Sequence, residues 1–150
     1  MIVIDASAEV AVLLNVGPGA AAIRYRIARP GETLHAPHLF EIEVLHALRR
    51  PTLLGTVSPE RARLALSRLR DTQLVRYPHT PLMERIWELK DNLTTYDAAY
   101  IALAEALDAP LITLDARLAR APGIRAAVEV YGERRGLPER RVPNRTLSLL

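Results

Sequence analysis

Residues 92–105 read NLTTYDAAYIALAE, and residues 110–114 follow as PLITL. A capped, alanine-rich helix that leads into a short buried strand is the repeating unit of an α/β fold. Thr94 or Thr95 can cap the helix, and Asp97 falls in its first turn. Further along, Ile101 and Ala104 share the row of Asp97, while Tyr100, Leu103 and Leu107 form an apolar stripe beside it. This spacing puts one carboxylate at the lip of an otherwise buried helix.

Working outward, the same alternation recurs. Met1–Ile4 reads as a buried strand that ends at Asp5, and Ser7 is the expected cap of a helix to about Asn15. Gly17-Pro18-Gly19 breaks it, and a second helix is expected from Ala20 to Arg29. Thr33–Ala36 is a candidate strand, Pro37 opens a helix from His38 to Arg50, and Pro51 should stop it. Ser58-Pro59-Glu60 starts the next helix, with Ala62, Leu66 and Leu69 on its inner side. Gln73–Tyr77 reads as a strand, and Pro81 begins a helix to about Asp91. After Leu111–Leu114, Asp115 caps a short helical turn through Ala119, and Val128–Tyr131 is a fifth strand candidate. The prediction is a three-layer α/β/α sandwich around a mainly parallel, five-stranded sheet spanning residues 1–131.

With 150 residues, the chain is long enough to bury a core without staples. It has no cysteine, which removes disulfides, zinc–thiolate sites and thiol chemistry. The first residues lack a basic leader and Asp5 interrupts their apolar run, so neither a signal peptide nor a membrane span is expected. A cytoplasmic protein fits. The net charge of +3 is carried by residues 131–150, where five arginines face two glutamates. That segment, GERRGLPERRVPNRTLSLL from residue 132, lacks periodicity and reads as a basic tail, flexible or ordered by a partner.

In an open α/β sheet, ligands bind beyond the carboxyl ends of the strands, where strand order reverses. Asp5 ends the first strand, Asp115 follows the fourth, and Asp97 opens the helix leading into the fourth. Carboxylates gathered there repel one another unless a cation neutralises them, and hard ions such as Mg²⁺ or Mn²⁺ suit oxygen ligands. The helix at 38–50 offers Glu41 or Glu43, about 200° apart around the helix. Periodicity leans towards Glu43, on one strip with His46 and Arg50, without deciding between them. Singly, each acid has an ordinary role. Asp115 can be a simple cap, Asp97 a capping-box acid, and Glu43 part of a solvated face. The functional argument rests on their shared position.

These residues, in this order, resemble the PIN domain, and within it the VapC toxins of bacterial toxin–antitoxin pairs. IDASA at 4–8 is similar to the opening strand with its Asp-x-Ser, and APHLFEIEVLHALRR at 36–50 to the helix carrying the second acid, which selects Glu43. LTTYDAAYIALAE at 93–105 supplies Asp97, and PLITLDARLARAPGI at 110–124 supplies Asp115. The resemblance implies an endoribonuclease in which Asp5, Glu43, Asp97 and Asp115 hold one or two Mg²⁺ or Mn²⁺ ions. A cation-activated water would attack the scissile phosphate. Ser7 and Thr113 would support the acids. The resemblance also implies a homodimer and a cognate VapB-type antitoxin. His46 departs from the pattern, standing where the family usually has asparagine; it is expected to support the acids with Ser7 and Thr113, by donating a hydrogen bond from its neutral ring.

Two other acidic α/β families fall away. A receiver domain needs adjacent acids after the first strand and a lysine after the last, but Asp5 is alone and the single lysine is Lys90. A dehalogenase-type phosphatase needs Asp-x-Asp where Asp5-Ala6-Ser7 stands. The alternative of another class is a catalytically silent PIN-fold protein that binds only its antitoxin and operator.

Overall fold

The computed structural model describes residues 1–132. The basic segment singled out above therefore lies, from residue 133 onward, outside the described residues. Five strands, β1 (Ile2–Ile4), β2 (Leu34–Pro37), β3 (Leu74–Tyr77), β4 (Leu111–Thr113) and β5 (Val128–Val130), form one sheet in the order β3-β2-β1-β4-β5. Every pairing is parallel, so the sheet is parallel throughout rather than mainly so. The chain leaves β1 for β2 on one side and reaches β4 on the other, which makes the β1–β4 boundary the switch point.

β1 and β4 are apolar runs because both faces of the central strands are covered. Ile2, Val3, Ile4, Leu111 and Ile112 have no exposed surface. On the sheet lie two groups of helices. α1 (Ala6–Leu14) packs with α2 (Ala20–Ile27), α3 (Phe40–Leu53) and α4 (Pro59–Asp71). α5 (Met83–Glu88) packs on α6 (Thr95–Ala106), which rests on β1, β2 and β4. The short α7 (Ala116–Arg120) sits against β5. The result is the α/β/α sandwich that the alternation predicts. Among the described residues no helix is long and apolar enough to cross a membrane.

Several local expectations are corrected. Asp5, not Ser7, caps α1: its backbone is still extended (φ −91°, ψ 167°) and its carboxylate accepts from the Ala8 amide. α3 starts at Phe40 and runs through Pro51 to Leu53. Proline there removes one amide from the last turn only, and the Thr52 hydroxyl and Leu54 amide keep bonding Leu48 and Arg50 carbonyls. The helix expected from Pro81 to Asp91 is a 3₁₀ turn, Thr80–Leu82, followed by the six residues of α5. On α4 the buried positions are Ala65 and Leu69, while Leu66 is exposed. α6 carries no mere stripe, since every residue from Ala98 to Ala104 is buried. At Gly19 a Cβ would meet the Tyr131 carbonyl oxygen at 2.0 Å, so only glycine lets α2 approach the end of β5.

Candidate active site

Asp5 and Asp115 are neighbours because their strands are. Ile4 lies beside Ile112, and the Asp5 amide bonds the Ile112 carbonyl at 3.1 Å. Asp5 is almost wholly buried and is held from several sides. The Ser7 hydroxyl donates to it at 2.7 Å, the Ala8 amide at 2.9 Å, and the Thr113 hydroxyl closes the set. Ser7 also accepts from the Leu114 amide, and Thr113 from the Asp115 amide, so both hydroxyls tie β1 to the end of β4.

α3 and α6 bring two more acids to this end of the sheet. The Tyr100 hydroxyl, on α6, donates to Glu43 on α3 at 2.5 Å. Glu41 pairs with Arg76, whereas Glu43 meets Tyr100 and feels the charges of Asp5 and Asp97. Thr94 caps α6 by accepting from the Asp97 amide, while its hydroxyl donates to the Asp97 carboxylate at 2.9 Å.

Three of the acids act on each other electrically. Burial pushes the Asp5 carboxyl above the usual carboxylate range, its hydrogen bonds oppose this, and the charge of Asp97 adds to the push. Burial likewise raises Glu43; the Tyr100 hydroxyl opposes it, and Asp97 and Asp5 raise it further. His46 is exposed on α3 and its charge acts on Glu43 in the opposite sense. Asp115 differs. Arg117 grips both of its oxygens, at 3.0 Å through Nε, and holds its carboxyl below the ordinary value. Asp97 and Asp115 line one cleft, and the charge of Asp97 also reaches Arg117.

The four acids named from sequence thus stand at one end of the sheet as a mutually repelling trio, Asp5, Glu43 and Asp97, with Asp115 beside them under Arg117. Each carboxylate is engaged by a local partner, and among the described residues no group of three or more His, Asp or Glu side chains stands ready to hold a metal ion. The chemistry of the set nonetheless fits a hard divalent cation. All donors are carboxylate oxygens, and no arginine or lysine forms an ion pair with Asp5, Glu43 or Asp97 among the described residues. Repelling carboxylates, one of them buried and none of them in an ion pair, are relieved by a cation.

Two participants escaped the reading from sequence. Tyr100 was placed on an apolar stripe, although a hydroxyl three residues after Asp97 in an alanine-rich helix signals a polar partner. Arg117, two residues after Asp115, gave no periodic signal at all.

A model of the PIN domain matches residues 2–124, and the chain belongs to the PIN domain family. Within the family its similarity runs to the VapC group. Ribonuclease VapC1 of Mycobacterium tuberculosis is 48% identical over 129 residues, covering 85% of this chain and 96% of that one. Ribonuclease VapC12 of the same species is 39% identical over 130 residues, covering 87% and 98%. Among solved structures, PAE2754 from Pyrobaculum aerophilum has a TM-score of 0.60 at 27% identity, over 82% of this chain and 81% of that one. M. tuberculosis VapC20, a Sarcin-Ricin loop cleaving toxin, shares the fold with a TM-score of 0.63 at 17% identity, over 83% and 96%.

Proposed function

We propose that this protein is the toxin of a VapBC-type toxin–antitoxin pair, an endoribonuclease that cuts RNA phosphodiester bonds with Mg²⁺ or Mn²⁺. The observation that carries the reading is the trio of Asp5, Glu43 and Asp97, acids that repel one another at one end of the sheet, with Asp5 buried and none of them in an ion pair among the described residues. Relatives named as ribonucleases support the reaction class, since they match nearly their whole length to this chain.

Asp5, Glu43, Asp97 and Asp115 would hold the cation. Bound there, it supplies an activated water and offsets the charge that builds on the phosphate. The rest is done by the chain. Ser7 and Thr113 fix the Asp5 carboxylate by donating to both its oxygens. Tyr100 fixes Glu43, and Thr94 fixes Asp97. Asp115 joins them when Arg117 lets go, and the freed guanidinium faces the same cleft. Without a cation the acids repel a phosphate, so RNA affinity depends on neutralising them and weakens with salt.

Expected partners are a VapB-type antitoxin and a second copy of the chain. An arginine from the antitoxin placed among the acids would do to Asp5 and Asp97 what Arg117 does to Asp115. In the decisive experiment, purified protein is mixed with RNA in Mg²⁺, in Mn²⁺ and in EDTA, alongside Asp5→Asn and Asp97→Asn. Cleavage should need the cation and fall on the order of 10³-fold in each variant. Cleavage unchanged by EDTA and by both substitutions would sink the cation-and-carboxylate reading, and no cleavage in either cation would leave a protein that only binds its antitoxin.

A further inference from the structure

The cleft beside the acids has a composition that the cleavage chemistry does not require. It holds about 600 Å³ between the start of α6 and α7. Asp97 and Asp115 line it, and so do Lys90, Arg117 and Arg120 with Asp91 and Asn92. Arg120 is exposed, and Arg117 is 85% exposed. Lys90 is paired only with the exposed Asp91, at 3.5 Å, a contact worth little in water. Lys90 gains more from a phosphodiester backbone than it loses in leaving such a partner, and Arg117, bonded to Asp115, can exchange one oxyanion for another.

Next to this track stands the chain's single tryptophan. Trp87, on α5, is 65% exposed, and Lys90 Nζ lies 5.6 Å from the centre of its ring. A large aromatic ring left in water on a six-residue helix contributes little to the core. A flat ring beside a lysine, with two exposed arginines in the same cleft as that lysine, supplies the two parts of a single-strand nucleic-acid site: cations follow the backbone, and an unpaired base stacks on the ring.

We infer that the cleft lined by Lys90, Arg117 and Arg120 seats single-stranded RNA beside the acids, with Trp87 as the stacking platform for an unpaired base. The inference rests on the nuclease reading for the identity of the strand, and it adds where that strand lies. It also gives Arg117 two alternative partners. Asp115 holds it when the acids lack a cation, and a phosphate takes it once a cation has neutralised them.

Trp87 is its own reporter, because no other tryptophan contributes to the emission. The full chain carrying Asp5→Asn, in Mg²⁺, is titrated with an unstructured oligoribonucleotide of about ten nucleotides. Trp87 emission should be quenched to saturation, and a duplex of the same sequence should quench it far less. With fluorescein-labelled RNA, Trp87→Ala in the same background should weaken binding by roughly 5- to 100-fold, with Trp87→Phe in between. Lys90→Ala and Arg120→Ala should each weaken binding and lower the salt slope by about one.

Emission indifferent to RNA, together with unchanged affinity in Trp87→Ala, overturns the inference. So does emission that changes with protein concentration and not with RNA, which would put a second copy of the chain over Trp87. The two readings fail separately. If the unsubstituted chain cuts RNA in Mg²⁺ while Trp87 is silent, only the cleft falls. If it cuts nothing while Trp87 is quenched, the nuclease reading falls and an RNA-binding cleft stands.

Discussion

Buried acids occur in two regions of this molecule, and their surroundings are opposite. On the side of α5 and the C-terminal half of α6, Glu105 has a side chain only 6% exposed, yet Arg85 grips both its oxygens, at 2.7 and 3.1 Å, and the Arg125 amide adds a third bond at 2.7 Å. Burial pushes Glu105 up, the two arginines more than offset it, and the carboxyl ends below its ordinary value. Near the end of β5, Glu129 is likewise bonded by Arg26 and by the Tyr131 hydroxyl. At the end of β1 and on the facing α3, Asp5 and Glu43 are raised by burial, and hydroxyls with one amide hold them. A fold able to compensate Glu105 so fully leaves Asp5, Glu43 and Asp97 without an ion pair among the described residues. The first arrangement neutralises its acid, and the second leaves its acids repelling one another.

The sharpest way to break this contrast is to remove compensation where it exists. Arg85→Ala leaves Glu105 buried with Arg125 alone, and should cost about 3 kcal/mol of stability in denaturant unfolding. RNA cleavage per folded molecule should not change. A smaller effect is expected at the uncompensated pole. Tyr100→Phe keeps the ring packed and removes only the hydroxyl, so Mn²⁺ affinity measured by calorimetry should drop about tenfold while the melting temperature barely moves. A purely structural Tyr100 would give the reverse pattern.

Glu9 is the other buried acid that forms no ion pair among the described residues. It is 2% exposed on α1, bonded to Thr72, and raised by its burial, but it stands apart from the trio. Glu9→Gln removes a desolvated charge and keeps an oxygen for Thr72, so the melting midpoint should rise, by roughly 1 kcal/mol in stability, with cleavage unaffected.

The smallest difference is one of slope with pH. Glu105 lies below its ordinary 4.5, so its contribution is complete above 4.5 and is lost as pH falls through the lower folded value. Unfolding between pH 5 and 3 should therefore show a steeper acid loss in the parent chain than in Arg85→Ala. In cation-free buffer Asp5 and Glu43 act in the opposite sense. Their penalty is present at neutral pH and fades as pH falls through their raised values.

Much of this was readable from residue order. Ile2–Ile4 and Leu111–Thr113 are buried on both faces, and the apolar runs around them say so. Ser58-Pro59 and Thr94 begin helices where their capping chemistry places them. Other features were hidden because their causes lie elsewhere in the chain. Pro51 reads as a stop, yet falls in the last turn of α3, where one lost bond is tolerable. Ser7 reads as a cap, and only the adjacency of β1 and β4 shows that it serves Asp5 and the Leu114 amide instead.

By itself the sequence determined the α/β alternation, the ends of the central strands and the acids that sit at them, because hydrophobic period and capping are local properties of the chain. Tertiary structure decided which acids feel one another, and which are already spoken for. Tyr100 meets Glu43 across 57 positions, and Thr113 meets Asp5 across 108. The charge state of a buried carboxylate depends on whatever the fold brings within a few ångströms, and no local pattern in the chain encodes that distance.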